Sequence, residues 1–222
     1  MRFKAIIFDF IGTTVLEKDP NLINNCFASA FSDHQVFIDR SVIRNSRGRD
    51  KRNIIADLLD QYHLPAALSK PIYQSFTTRL KSQLTNFEEN AGATDIFNYL
   101  KAEGVVIGLG SGLPRDIFEP IFGQVGWNTE MFDYIGLMED IGQSRPQPDM
   151  IFDMMKKLDL PKTILLKTGD TTADVREGKN AGIATAAILT GTQSREAIIA
   201  EQPDFLVTSL YELKNIVAGV SQ

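Results

Sequence analysis

Apolar residues follow two different rhythms along the chain. Residues 4–10 (KAIIFDF) are a short run rich in strand formers that ends in a turn at Gly12-Thr13-Thr14. From about 21 to about 87 the apolar positions recur at helical spacing, as with Ile54, Leu58 and Leu59, or Phe76, Leu80 and Leu84. Pro71 suits the first turn of the last of these helices, and no strand is expected in the whole stretch. After about Gly92 the rhythm alternates. Strands are expected over 104–111, 134–139, 163–170, 184–191 and 204–208. Helices are expected over 94–102, from 115, and over 148–158, 173–182, 194–202 and 209–217.

Alternation at this pitch predicts an α/β fold, a doubly wound, Rossmann-like parallel sheet covered by helices on both faces. The first strand has no partner nearby in sequence, so it must join that sheet. Residues 1–14 and 88–222 then form the core domain, and 15–87 is an inserted α-helical cap domain. Ligands in such sheets bind beyond the carboxyl ends of the strands. That rule selects Asp9, Ser111-Gly112 and Gly169-Asp170 with Asp174, and between them the loop that carries Arg145.

The composition narrows the setting. Of 222 residues, 43% are hydrophobic and 23% charged, which is ordinary globular usage and excludes a disordered chain. No apolar run approaches the roughly 18–20 residues of a membrane helix, and the N-terminal run lacks a signal-peptide cleavage site. A net charge of −5 argues against a nucleic-acid partner. Cys26 is the single cysteine, so no internal disulfide forms and a cytoplasmic location is expected; it reads as a small buried hydrophobe. His34 and His63 lie far apart, read as surface residues, and make no metal site.

The selected residues share one chemistry. Grouped carboxylates repel one another unless a hard cation binds between them, and Mg²⁺ takes one or two carboxylates together with phosphate oxygens. Ser111 and the N–H groups that follow it suit an anion. Arg145 adds a charged donor for phosphoryl oxygens. An aspartate beside such a centre can attack phosphorus and form an aspartyl-phosphate.

As a set, these residues resemble the haloacid dehalogenase superfamily. Asp9 in FDFIGTTV matches the nucleophile motif and Ser111 the hydroxyl motif. Arg145 matches the basic position, and GDTTADVREGKNAG (169–182) the acidic motif. The resemblance implies Mg²⁺ held by Asp9, the backbone carbonyl of Ile11, Asp170 and Asp174. It also implies phosphoryl oxygens held by Thr13, Ser111, Gly112 and Arg145.

Two departures resemble the phosphonatase branch of that superfamily. Ile11 stands where most of its phosphatases carry a general acid, and the third motif has Arg145 rather than lysine. The branch also uses a cap lysine in a Gly-x-x-Lys context, matched by Gly48-Arg49-Asp50-Lys51. The resemblance implies that Lys51 forms a Schiff base with a small organophosphonate substrate, which removes the need for an acid at position 11. It also implies a homodimer through the cap.

Residues 44–52 (RNSRGRDKR) crowd five cations around one acid at the start of a helix, where cations are mildly unfavourable. Such crowding suits an anionic ligand and lowers the pKa of a nearby amine. Against the branch, Arg47 and Ile54 occupy positions where it places methionine and histidine. The alternatives are a small-molecule phosphate monoester phosphatase of the same superfamily and a catalytically weak Mg²⁺- and phosphate-binding regulatory homologue.

Overall fold

The computed structural model describes residues 1–219. Six parallel strands form the central sheet: β1 (Ala5–Asp9), β4 (Val106–Ser111), β5 (Tyr134–Leu137), β6 (Leu165–Gly169), β7 (Ala184–Ile188) and β8 (Phe205–Val207). Their order is β5-β4-β1-β6-β7-β8. Every residue of β1 is buried, as expected of a central strand with both faces covered. The chain builds outward from β1 in one direction through β4 and β5, then returns to its other side with β6. The strand order therefore reverses beside β1, and Asp9 ends that strand.

Helices α5 (Ala93–Ala102), α6 (Arg115–Gln124), α7 (Met138–Ile141), α8 (Asp149–Leu158), α9 (Thr172–Ala181), α10 (Arg195–Ala200) and α11 (Leu213–Ala218) connect or flank these strands. Phe8, Phe97, Trp127 and Phe132 pack edge to face on one side of the sheet. Met150 and Met154 of α8 are buried with Ile7 on the other, so those methionines are core.

Between β1 and α5 the chain leaves the sheet. It forms α1 (Leu22–Ser32), α2 (Arg40–Asn45), α3 (Lys51–Gln61) and α4 (Ser69–Lys81). No strand is expected over about 21–87, and β3 (Phe87–Glu89) corrects this only at the last residue. It pairs with β2 (Val15–Glu17), which precedes that stretch, as a short antiparallel ribbon through which the chain leaves and returns. Three residues are too few for an alternating pattern, so this pairing is a tertiary effect.

Phe27 of α1 stacks on Phe76 of α4 with ring centroids 4.1 Å apart, both fully buried. Phe76→Ala is expected to cost about 3–5 kcal/mol, measured as a drop in the denaturant midpoint at unchanged slope. Cys26 is buried on α1, and burial pushes its thiol up to about 11, so it stays protonated and inert. His63 is exposed and His34 half-buried. Arg115 turns to solvent, where it meets Glu119, Glu139 and Asp140. Among the described residues no helix is long and apolar enough to cross a membrane.

Candidate active site

Three strand ends converge at the carboxyl edge of the sheet. β1 delivers Asp9, β4 delivers Ser111, and β6 ends at Gly169 immediately before Asp170. Thr171 caps α9 and forms a reciprocal capping box with Asp174. That cap fixes Asp174 in the first turn, beneath Asp170. Carboxylate oxygens of Asp9, Asp170 and Asp174 come within 4.8 Å of one another, all three side chains buried.

Two buried residues that the sequence reading missed complete the cluster. Lys167 points from β6 to Asp174 Oδ1 at 2.9 Å and to Glu177 Oε2 at 3.2 Å, in ion-pair contact. Glu177 also accepts from Arg145 Nε at 3.0 Å. A lysine inside an apolar strand and an acid at the core-facing position of α9 were the available signals.

Arg145 lies in the site, fully buried, but its donors are already engaged. Nη1 donates to Asp9 Oδ1 and to the Gly48 carbonyl, and Nη2 donates to the Gly110 carbonyl. Its expected role on phosphoryl oxygens is therefore overlaid by one in holding Asp9. Thr13 is also placed differently from expectation. Its hydroxyl donates to Asp170 Oδ1 at 3.0 Å and does not line the cavity, so it orients a carboxylate.

The electrostatics follow from burial. Asp9, Asp170, Asp174 and Glu177 are buried together, with Arg145 and Lys167 in ion-pair contact and with Arg47 and Lys51 acting on Asp170 and Asp9 from the helical side. Burial, then the charges of Asp9 and Asp174, push the Asp170 carboxyl well above its ordinary range. Burial also raises Asp9, against the pull of Arg145. Burial opposes ionised Asp174 too, but Lys167, Arg145 and the Thr171 hydroxyl together hold it below its usual value.

A divalent cation would relieve the repulsion among the three grouped carboxylates. Asp170 Oδ2 and Asp9 Oδ2 have no protein donor among the described residues, whereas Oδ2 of Asp174 accepts from Thr171 and Oδ1 contacts Lys167 and Arg145. The residues fit a divalent metal, with Asp9 and Asp170 offering free oxygens and Asp174 supporting them.

Asp170 is sandwiched between backbone turns at Gly12 and Gly191. A Cβ built at Gly191 would lie 1.8 Å from Asp170 Oδ2, and one at Gly12, whose φ is +98°, 2.2 Å away. Gly191→Ala is expected to push Asp170 aside and weaken divalent-metal affinity by about 10–100-fold, read by titration calorimetry with Mg²⁺.

Above the carboxylates lies a cavity of about 30 Å³. It is lined by Asp9, Ile11, Ser111, Gly112 and Arg145 from the core and by Ile23, Phe27, Arg47, Lys51 and Ile54 from the helical segment. Ser111 Oγ accepts from the Leu113 N–H at 3.1 Å. Gly112 lets the Arg49 carbonyl approach, since an added Cβ would stand 3.1 Å from it. Asp50 caps α3 and so starts that helix at Lys51.

The rest of the basic run is dispersed rather than gathered on one anion. Arg49 meets Asp57, Arg52 lies over Tyr73, and Arg47 pairs with Glu17. Lys51 and Arg47 are buried against the cavity, and Lys51 pairs with no acid among the described residues. Its Nζ donates to the Arg49 carbonyl at 2.9 Å, and burial, then Arg47, bring its pKa down to about 8.

A family model described as haloacid dehalogenase-like hydrolase matches residues 6–188. A phosphonoacetaldehyde hydrolase of Latilactobacillus sakei is 30% identical over 203 residues, which span 84% of this chain and 75% of the relative. Among solved structures, a phosphonoacetaldehyde hydrolase-like protein from Oleispira antarctica has a TM-score of 0.84 at 17% identity, covering 99% of this chain and 93% of its own. A predicted phosphoglycolate phosphatase from Haemophilus somnus has a TM-score of 0.81 at 20% identity, covering 97% and 98%. The two solved structures speak for the fold alone. The family match spans β1 to the end of β7 and takes in every strand-end carboxylate described above, so the chain belongs to the haloacid dehalogenase-like hydrolase family.

Proposed function

We propose that this hydrolase cleaves the carbon–phosphorus bond of a small β-carbonyl phosphonate, of which phosphonoacetaldehyde is the simplest, with Mg²⁺ as its metal. The observation that carries this reading is Lys51, a buried amine with a lowered pKa that shares one cavity with Asp9 and Ser111. The similarity to phosphonoacetaldehyde hydrolases supports it. Ile11 supports it as well, because an apolar side chain beside the nucleophile cannot protonate a departing alkoxide.

Asp9, Asp170 and the backbone carbonyl of Ile11 would hold Mg²⁺, with Asp174 and Thr13 fixing the carboxylates around it. Mg²⁺ would supply positive charge to the phosphoryl group and to the grouped carboxylates. Ser111 Oγ and the Gly112 N–H bind phosphoryl oxygens. Lys51 condenses with the carbonyl carbon and releases water. Asp9 attacks phosphorus, and the electron pair of the breaking C–P bond passes into the imine, giving an enamine on Lys51. Protonation at carbon and hydrolysis free the aldehyde and the lysine. A second water cleaves the aspartyl-phosphate and restores Asp9.

A 30 Å³ cavity holds water rather than a phosphonate. Helices α1–α4 act as a cap that must withdraw to admit substrate and then exclude bulk water from the imine.

The test is borohydride trapping with phosphonoacetaldehyde and Mg²⁺, which should place a reduced adduct on Lys51, together with release of acetaldehyde and phosphate. Neither adduct nor acetaldehyde would rule the reading out. The pH dependence follows from the Lys51 shift. Below about pH 8 the amine is protonated and cannot attack, so kcat/KM should rise roughly tenfold per pH unit up to that value and level off above it. A limb that continues to pH 10 in a pH–rate profile would contradict this.

A further inference from the structure

Arg47 is a buried cation that borders the cavity and takes no part in the carboxylate cluster's ion pairs, and the mechanism gives it no task. It lies at the end of the turn after α2, is 8% exposed, and lines the reaction cavity beside Lys51. A guanidinium has five N–H donors. Among the described residues Arg47 uses two groups: Nη2 donates to Glu17 Oε1, and Nη1 donates to the Thr192 hydroxyl at 3.3 Å.

Glu17 is itself held. Its other oxygen accepts from the Ile23 N–H at 2.8 Å, at the start of α1. The ribbon and the β7–α10 loop therefore grip one edge of the guanidinium and fix its plane. Its remaining donors have no protein partner among the described residues, and the side chain borders a cavity on which a ligand could meet them.

The neighbourhood limits what that ligand is. Ile11, Ile23, Phe27, Ile54 and Leu113 are the apolar part of the wall, the Thr171 hydroxyl is engaged with Asp174, and the Gly48 carbonyl accepts from Arg145. Lys51 and Arg47 are then the two polar side chains on the helical side of the cavity, and Arg47 is the largest charge acting on Lys51. Because both border one cavity of about 30 Å³, a group bonded to the carbon that Lys51 attacks would be within reach of Arg47. On the far side of Arg47 lies a second cavity of about 340 Å³, lined also by Glu17, Asn21, Arg44 and Thr192, which gives the guanidinium room to adjust.

We propose that Arg47 determines specificity by pairing with a carboxylate on the carbonyl carbon of the substrate, so that the substrate class is a 2-oxo-3-phosphonocarboxylate rather than a simple phosphonoaldehyde. Guanidinium and carboxylate match in planar, two-pronged fashion. The inference rests on the carbonyl-phosphonate reading above. The bond changes are the same: Lys51 condenses with the ketone and releases water, the C–P bond breaks toward the imine, and hydrolysis yields a 2-oxo acid and phosphate.

The test has a binding arm and a turnover arm, with Mg²⁺ present. In the binding arm the probes are 3-phosphonopropionate and ethylphosphonate, which lack the carbonyl and cannot react. The native protein should bind the carboxylated probe at least tenfold more tightly. Arg47→Met together with Glu17→Gln removes both buried charges without changing the net charge, and should bring the two affinities within about twofold. Arg47→Met alone should do the same if it folds. Equal affinities in the native protein, or a preference that survives the double substitution, overturn the proposal.

In the turnover arm, kcat/KM for pyruvate release from 3-phosphonopyruvate should exceed that for acetaldehyde release from phosphonoacetaldehyde, and the double variant should reverse the order. A native preference for the aldehyde overturns the proposal. If neither compound is cleaved while the binding preference holds and depends on Arg47, the imine reading fails and the carboxylate specificity stands.

Discussion

Asp9→Asn is expected to lower turnover by on the order of 10⁵-fold while leaving the thermal midpoint unchanged or raised. The side chain is nearly isosteric, so the loss reports the charge of this carboxylate, as nucleophile and as metal ligand. An amide does not attack phosphorus at a useful rate, and the neighbouring acids are committed: Asp170 would hold the metal, Asp174 has both oxygens engaged and Glu177 is held by Arg145 and Lys167. The stability side has an opposite sign to most buried-charge deletions. Burial and the charge of Asp174 hold the Asp9 carboxyl above its ordinary range. A carboxylate whose folded pKa is raised costs stability at every pH above its unfolded value, so removing the charge relieves that cost near neutrality. Arg145 keeps Glu177 and Asp174 as partners and is not orphaned. Single-turnover phosphate release and a melting curve on the same preparation check both halves. Activity within tenfold of native would exclude Asp9 as the nucleophile.

Lys51→Arg should be nearly as damaging to C–P cleavage, by about 10⁴-fold. Arginine keeps the positive charge but offers no neutral amine, since its pKa lies far above any working pH. Without the imine, the electron pair of the C–P bond has nowhere to go and Ile11 supplies no proton. The loss then matches or exceeds the 10²–10⁴-fold that a general acid typically contributes. If Lys51 served only as an anion contact, arginine would preserve most of the rate, and a loss under tenfold would show that. Native-like circular dichroism of the variant separates chemistry from folding, because the reaction cavity is small enough for a longer side chain to matter.

The doubly wound core and most of its strand ends were legible in the sequence because both rest on local pattern. Strands alternate with helices at a readable pitch, and a carboxylate or hydroxyl that ends an apolar run is visible without a partner. Asp9, Ser111 and Asp170 stand where that rule puts them. What escaped depends on contacts across the chain. β2 and β3 are three residues each and 70 positions apart, and only their mutual pairing makes them strands. Lys167 sits within an apolar strand and Glu177 within an ordinary helix, and neither carries a motif until folding sets them against Asp174 and Arg145. Thr13 and Arg145 were placed in the site, but which oxygens they serve is a matter of ångströms that spacing does not encode. The basic run looked like one anion site because like charges were adjacent in sequence, while Asp57, Tyr73 and Glu17 draw its members apart in space.

The ribbon of β2 and β3 has a modular consequence. Val15 lies opposite Glu89 and Glu17 opposite Phe87, so the chain departs from the core and re-enters it at neighbouring points. A two-residue Asn-Gly turn joining Glu17 to Phe87 would close the ribbon as an ordinary hairpin and leave the order of the six core strands untouched. The carboxylates of Asp9, Asp170 and Asp174 and the amine of Lys51 thus lie on opposite sides of the ribbon, in stretches of chain that the ribbon separates. Exchange of the stretch between the two ribbon strands is a route by which the same aspartate could acquire a different substrate without redesign of its supports.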